Sequence, residues 1–219
     1  MIVKFSRSLL VASTIAGLTL PAISAVAATS ETETVINGLD YGPLAKFVGT
    51  WKTQDDEGLD VAPGREGSEV GKGGGAASPY YETIRFTPAG DATNASSQHL
   101  TAIFYHQMVF RKSDKKQFHD QVGYLIYDKA NQTIYNSFCI PRAVCVVATG
   151  KPDATLTLTA QNVGIGQSDY MAANDKTEKF TVTYEVSGNT MQYTQETILH
   201  VYGKPFTHTD ISTLTRVKE

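Results

Sequence analysis

Five histidines, His99, His106, His119, His200 and His208, carry most of the chemistry this sequence could perform. His99 and His106 fall on one predicted strand, seven residues apart. An odd separation on a strand sends side chains to opposite faces, so the two cannot share a metal ion without a bulge. His119 and Asp120 are adjacent and diverge for the same reason. No cysteine or histidine pair has zinc-ligand spacing, and no serine sits in a nucleophile-elbow context. The carboxylates are scattered, so a hydrolase reading has little support. His106 shares its strand face with Leu100, Ala102, Phe104, Met108 and Phe110. An imidazole in such an apolar row either hydrogen-bonds within the core or faces a ligand. The same two readings apply to His200, between Leu199 and Val201. His208 stands where a Thr-rich final strand is expected to begin, in the closing stretch "PFTHTDISTLTRVKE" from Pro205 to Glu219.

The elements that must position these residues are nearly all β. "KFTVTYEV" sets Phe180, Val182, Tyr184 and Val186 against Thr181, Thr183 and Glu185, and "ATLTLTA" alternates Leu156 and Leu158 with threonines. A period of two marks strands with one buried face. "SGNT" (Ser187 to Thr190) is a hairpin turn signal. Ten strands are expected, over about 49–54, 80–87, 98–111, 117–127, 132–140, 143–149, 154–161, 178–187, 190–202 and 208–217. A short helix is expected only at "GPLAKFV" (Gly42 to Val48). Consecutive strands with short turns and few helices imply an all-β fold, an antiparallel up-and-down barrel or a sandwich. A barrel of this size can enclose a cavity. The Gly-rich stretch 64–78 is not followed by the Lys-Ser or Lys-Thr and helix of a phosphate cradle. It reads instead as a loop over the barrel mouth.

The N-terminal 27 residues read as an export signal. Lys4 and Arg7 precede an apolar, small-residue run from Ser8, and "AVA" before Ala28 suits signal peptidase. The expected organisation is a signal peptide over 1–27, a segment over 28–43 and a barrel domain over 44–219. The expected destination is the bacterial periplasm or medium. Without Lys4 and Arg7 the chain keeps 17 basic against 22 acidic residues. No basic stripe supports a nucleic-acid partner, and no second apolar run suggests a stable membrane span. Cys139 and Cys145, in "CIPRAVC", would lie opposite each other if the chain reverses at Arg142. In an oxidising compartment they are expected to form a disulfide; two buried free thiols are the alternative.

"LAKFVGTW" (Leu44 to Trp51), "YYETIRFTPAG" (Tyr80 to Gly90), "LTAIFYHQMVFRK" (Leu100 to Lys112) and "FHDQVGYLIYD" (Phe118 to Asp128) occur in that order. Together they resemble the nitrobindin family, also found as the C-terminal domain of a THAP-type zinc-finger protein. The resemblance implies a ten-stranded barrel holding haem b through one axial histidine, with nitric oxide as a ligand and peroxynitrite isomerisation in some members. The chain departs from the family's G-x-W-x-G-x-G first strand. Gly49 and Trp51 match, but Thr53 and Asp55 replace the later glycines. "EGLDVAPG" and the Gly-rich loop replace a short turn. The resemblance therefore implies an exported, divergent branch. A lipocalin-like carrier of another apolar molecule, without iron, and an interaction module with a filled interior are the competing readings.

In the resemblance the axial histidine begins the last strand, four residues after a proline. Counting from Pro205 lands on Thr209, and His208 is one residue early. A shift of one turns a side chain to the opposite face. Either a shorter loop or a bulge turns His208 inward as the iron ligand, with His106 on the distal side. Otherwise His208 faces solvent beside Asp210, and His200 or His106 must serve, or no haem binds.

The cleavage reading makes a direct prediction. Intact-mass analysis of the exported protein is expected to find Ala28, or Thr29 by an alternative cut, at the N-terminus; a retained Met1 would refute it.

Overall fold

The computed structural model describes residues 33–218. The export signal read at residues 1–27, with its cut at Ala28, lies outside the described residues. Two short strands, β1 (Val35–Ile36) and β2 (Leu39–Asp40), form a small hairpin. A 3-10 turn over Gly42–Phe47 follows, with Pro43 at its start, and buries Leu44 and Phe47. The barrel strands are β3 (Gly49–Thr53), β4 (Gly58–Pro63), β5 (Gly75–Asn94), β6 (Gln98–Arg111), β7 (Gln117–Asp128), β8 (Thr133–Ile140), β9 (Val144–Gly150) and β10 (Thr155–Gln161). After β11 (Ile165–Gln167) and the short helix α1 (Asp169–Asn174) come β12 (Asp175–Ser187), β13 (Thr190–Val201) and β14 (Lys204–Arg216).

Every described pairing is antiparallel, in the order β10, β12, β13, β14, β3, β5, β6, β7, β8, β9. Thr159 of β10 meets Thr149 of β9 and closes the ring. β4 continues β3 in the gap between β14 and β5, so the closed barrel has ten staves. All ten expected strands are present, with shifted ends. β4 arises from "GLDVAP", read from sequence as loop. β5 starts at Gly75 rather than 80, and β14 at Lys204 rather than 208. Helix α1 and β11 were not expected. Ser168 caps α1 by accepting a hydrogen bond from the Met171 amide, a local signal that the six-residue helix is too short to display as periodicity.

Along each strand the inward row divides the barrel in two. One half is packed solid by Phe47, Trp51, Phe86, Ile103, Leu125, Ile134, Leu158, Val182, Met191 and Leu214, all nearly or fully inaccessible. The other half is a cavity. Arg216 seals the packed end. Its guanidinium lies 4.2 Å from the Trp51 ring centroid and donates to the Lys46 carbonyl at 2.7 Å and to the Val48 carbonyl. Trp51 Nε1 donates to the Phe47 carbonyl at 2.7 Å. Gly49 makes room for this arrangement: its φ is +128°, and an added Cβ would lie 3.1 Å from Arg216 Nη1. That is the physical content of the "G-x-W" motif here.

Cys139 and Cys145 are direct partners across the β8–β9 hairpin and are joined by a disulfide. The Gly-rich loop between β4 and β5 is tied at its neck. Gly64 N–H donates to the Gly74 carbonyl and Gly73 N–H to the Gly64 carbonyl, each at 2.7 Å. Gly74 is needed there, since a Cβ would come within 2.2 Å of the Val70 carbonyl oxygen. Among the described residues no helix is long and apolar enough to cross a membrane.

Removing the Arg216 side chain strips the Trp51 face and leaves two carbonyls without a donor. Arg216→Ala is expected to lower stability by about 2–4 kcal/mol, read as a shifted urea midpoint with an unchanged m-value.

Candidate functional site

The cavity has a volume of about 560 Å³, within the usual range for small-molecule sites. Its walls are apolar where Phe138, Val144, Val146, Phe180 and Leu199 face it, and polar at the floor and mouth. His208 lies on the wall. β14 alternates so that His208, Asp210, Ser212 and Leu214 point inward, while Ile211 is 48 % exposed. The β13–β14 register runs unbroken from Thr190 opposite Thr215 to Val201 opposite Lys204, with His208 opposite Thr197. No bulge is needed to turn His208 inward. The more polar row of β14 is the interior one, because it faces the cavity rather than the packed half.

His208 Nε2 lies 2.6 Å from Asp60 Oδ1 and 3.6 Å from Asp210 Oδ2. Asp60 comes from β4, so the stave that sequence missed supplies the closest partner. Burial opposes charge on His208, but the Asp60 hydrogen bond and the Asp210 charge outweigh it, and its pKa is raised. Burial pushes Asp210 up to about 6, against the attraction of His208. Donor atoms of Asp60, His208 and Asp210 all fall within 4.8 Å of one another. Such a carboxylate–histidine set strengthens imidazole as a ligand.

The other sequence candidates divide. Thr209 sits on the outward row, opposite Glu196 and Val61. His200 is exposed on β13. His106 does not line the cavity; its Nε2 bonds Asp120 Oδ2 at 2.9 Å on the outside of β6 and β7. The inward row of β6 is Ile103, Tyr105, Gln107 and Val109, all buried. Both rows of β6 are rich in apolar residues, so apolarity could not tell inside from outside. His119, which the sequence analysis set aside, lines the cavity from β7, four staves from His208. Desolvation lowers the His119 pKa and favours its neutral form. His119 opens the "H-x-x-x-GYL" stretch (His119 to Leu125), and strand parity with the buried Leu125 was the available signal.

A buried polar layer separates the cavity from the packed half. Glu82 is 2 % exposed. It accepts from Gln107 Nε2 at 2.6 Å and from the Tyr193 hydroxyl at 3.0 Å. The Tyr80 and Tyr193 hydroxyls are 2.8 Å apart. Beside them Gln121 donates to the Tyr105 hydroxyl at 2.7 Å, which donates to Asn136 Oδ1 at 2.9 Å. Gln107, Gln121, Tyr80 and Tyr193 reach the cavity; Glu82 stands behind them.

A closed ten-stave barrel, half packed and half hollow with a histidine on the cavity wall, defines a ligand-binding β-barrel. Residues 40–216 match the THAP4-like, heme-binding beta-barrel domain, and the chain belongs to that family. Its fold is shared with Rv2717c from M. tuberculosis, at a TM-score of 0.55 and 14 % sequence identity, covering 80 % of this chain and 95 % of that one. No curated protein matches the sequence.

A haem group, which the family description implies, fits the residues present. The cavity offers apolar walls for a flat ring system and an inward histidine with carboxylate support. Iron taken by Nδ1 would keep the Asp60 contact, and iron taken by Nε2 would replace it.

Burial raises the Glu82 pKa from 4.5 to about 7, partly offset by the Gln107 and Tyr193 hydrogen bonds. The folded state therefore holds a proton that the unfolded chain has released, and stability falls as pH rises from about 4.5 through 7. Glu82→Gln is expected to gain on the wild type by up to about 3 kcal/mol between about pH 5 and pH 8, measured by guanidinium unfolding at both.

Proposed function

We propose that the protein is an exported haem-binding barrel that carries haem b in the cavity, with His208 as the axial ligand. The observation that carries this reading is the inward His208 held by Asp60. Because Asp60 meets Nε2, iron would be taken by Nδ1, and the buried carboxylate would then fix the imidazole orientation and raise its basicity as a ligand. His119 faces the same space in its neutral form and is the residue available to hydrogen-bond a small molecule on the open side. Gln107 and Gln121 keep the floor polar, while Phe138, Val146 and Phe180 exclude water from the ring edges. Bound through one histidine, haem supplies an iron with an open position for nitric oxide or peroxynitrite. Export is supported by Lys4, Arg7 and the apolar run ending in "AVA". It also suits the Cys139–Cys145 bridge, which needs an oxidising compartment.

Titration with haemin is expected to give a Soret band at one equivalent. His208→Ala should weaken binding at least tenfold and move the maximum, whereas His106→Ala and His200→Ala should leave both unchanged. Nitric oxide should then shift the band of the loaded protein. If His208→Ala leaves affinity and maximum as they were, the axial assignment is wrong. A wild-type spectrum indifferent to haemin would leave a carrier of another apolar molecule.

A further inference from the structure

The cavity lining includes three arginines from three separate places: Arg65 in the loop after β4, Arg111 at the end of β6 and Arg142 in the β8–β9 turn. Arg111 is engaged, since it pairs with Asp114 at 3.0 Å and lies 5.1 Å over the Phe118 ring. Arg65 and Arg142 form no ion pair among the described residues. Among the nearby carboxylates, Asp60 and Asp210 flank His208 and Asp120 binds His106 and Gln117; Asp175, also on the cavity lining, forms no ion pair with either arginine. Arg142 lines the cavity beside His119. The disulfide pins the turn that presents it, between Cys139 and Cys145. The chain carries a net charge of −3. Two unpaired guanidiniums beside one cavity are therefore not the overflow of a basic surface.

We propose that Arg142 and Arg65 form a carboxylate receptor at the cavity mouth, which selects and orients a flat apolar ligand bearing acidic side chains. This rests on the haem reading and specifies its ligand class: a tetrapyrrole with free propionates, inserted with its apolar edge inward and its carboxylates outward. A guanidinium presents a planar fork of donors that matches a carboxylate bidentately, with charge assistance. The walls at Phe138, Val144, Val146 and Phe180 accept the apolar edge, and the arginines take the acids where the cavity meets solvent. Arg65 belongs to the Gly-rich loop and Arg142 to the disulfide turn. Both features thereby acquire a role at the same mouth.

The test compares haemin with haemin dimethyl ester, which has the same ring and iron but no free carboxylate. Arg142→Ala and Arg65→Ala are each expected to weaken haemin binding about three- to tenfold. Both should leave ester binding unchanged and flatten the salt dependence of haemin affinity. Arg142→Lys should recover part of the loss. Arg85→Ala, an exposed arginine that does not line the cavity, should have no effect. Unchanged haemin affinity in both variants overturns the receptor, as does an equal loss for the ester, which would indicate packing rather than charge. Protoporphyrin IX, which lacks iron, separates this from the haem reading. If haemin gives no Soret shift but protoporphyrin fluorescence reports arginine-dependent binding, the receptor stands and iron ligation falls. If neither compound binds, both fall.

Discussion

Arg216 lies on the Trp51 ring and holds the carbonyls that end the 3-10 turn, and this clamp ties the last strand to β3, the first strand of the barrel. β14 touches three neighbours, β13, β3 and β4. Its register decides which of its rows faces inward. Leu214 fills the packed half and His208 enters the cavity because six residues, an even number, separate them. A slip of one residue would bury Ile211 and Thr209 and expel the histidine. The clamp is thus remote from the cavity and still governs what the cavity contains.

The hollow half depends on the polar layer beneath it. Glu82, Gln107, Tyr80 and Tyr193 satisfy one another. A buried carboxylate in that position is costly unless hydrogen-bonded, and the network keeps the layer in place. Apolar side chains from above cannot collapse onto it without leaving those groups unpaired. The layer therefore sets a floor, and the cavity volume follows from it. The Gln121–Tyr105–Asn136 chain performs the same service on the β7–β8 side.

Strand existence was readable because alternation in "KFTVTYEV" and "ATLTLTA" is clean, and the family was readable because four motifs fall in order. Facing was harder. On β6, Phe104 and Met108 on the outside look as core-like as Ile103 and Val109 within. On β14 the inward row includes His208, Asp210 and Ser212, which by composition resembles a solvated face. Cavity-lining strands invert the ordinary rule, since their interior row is polar where a ligand must be met. β4 was hidden for another reason. "GLDVAP" carries Gly58, which a Tyr80 ring crowds so closely that a Cβ would lie 2.3 Å from it, and a proline that ends the strand. Both residues look like loop punctuation. With β4 hidden, so was Asp60, the nearest partner of His208.

The clasp at the base of the Gly-rich loop has an entropic consequence. Two reciprocal hydrogen bonds between Gly64 and the Gly73–Gly74 pair close the loop upon itself, and Ser68 Oγ donates to the Arg65 carbonyl at 2.7 Å inside it. The base of the loop is therefore ordered without a guest. Glycine-rich segments usually carry a heavy ordering cost when they seat a ligand; here the part of that cost that falls on the base is met during folding.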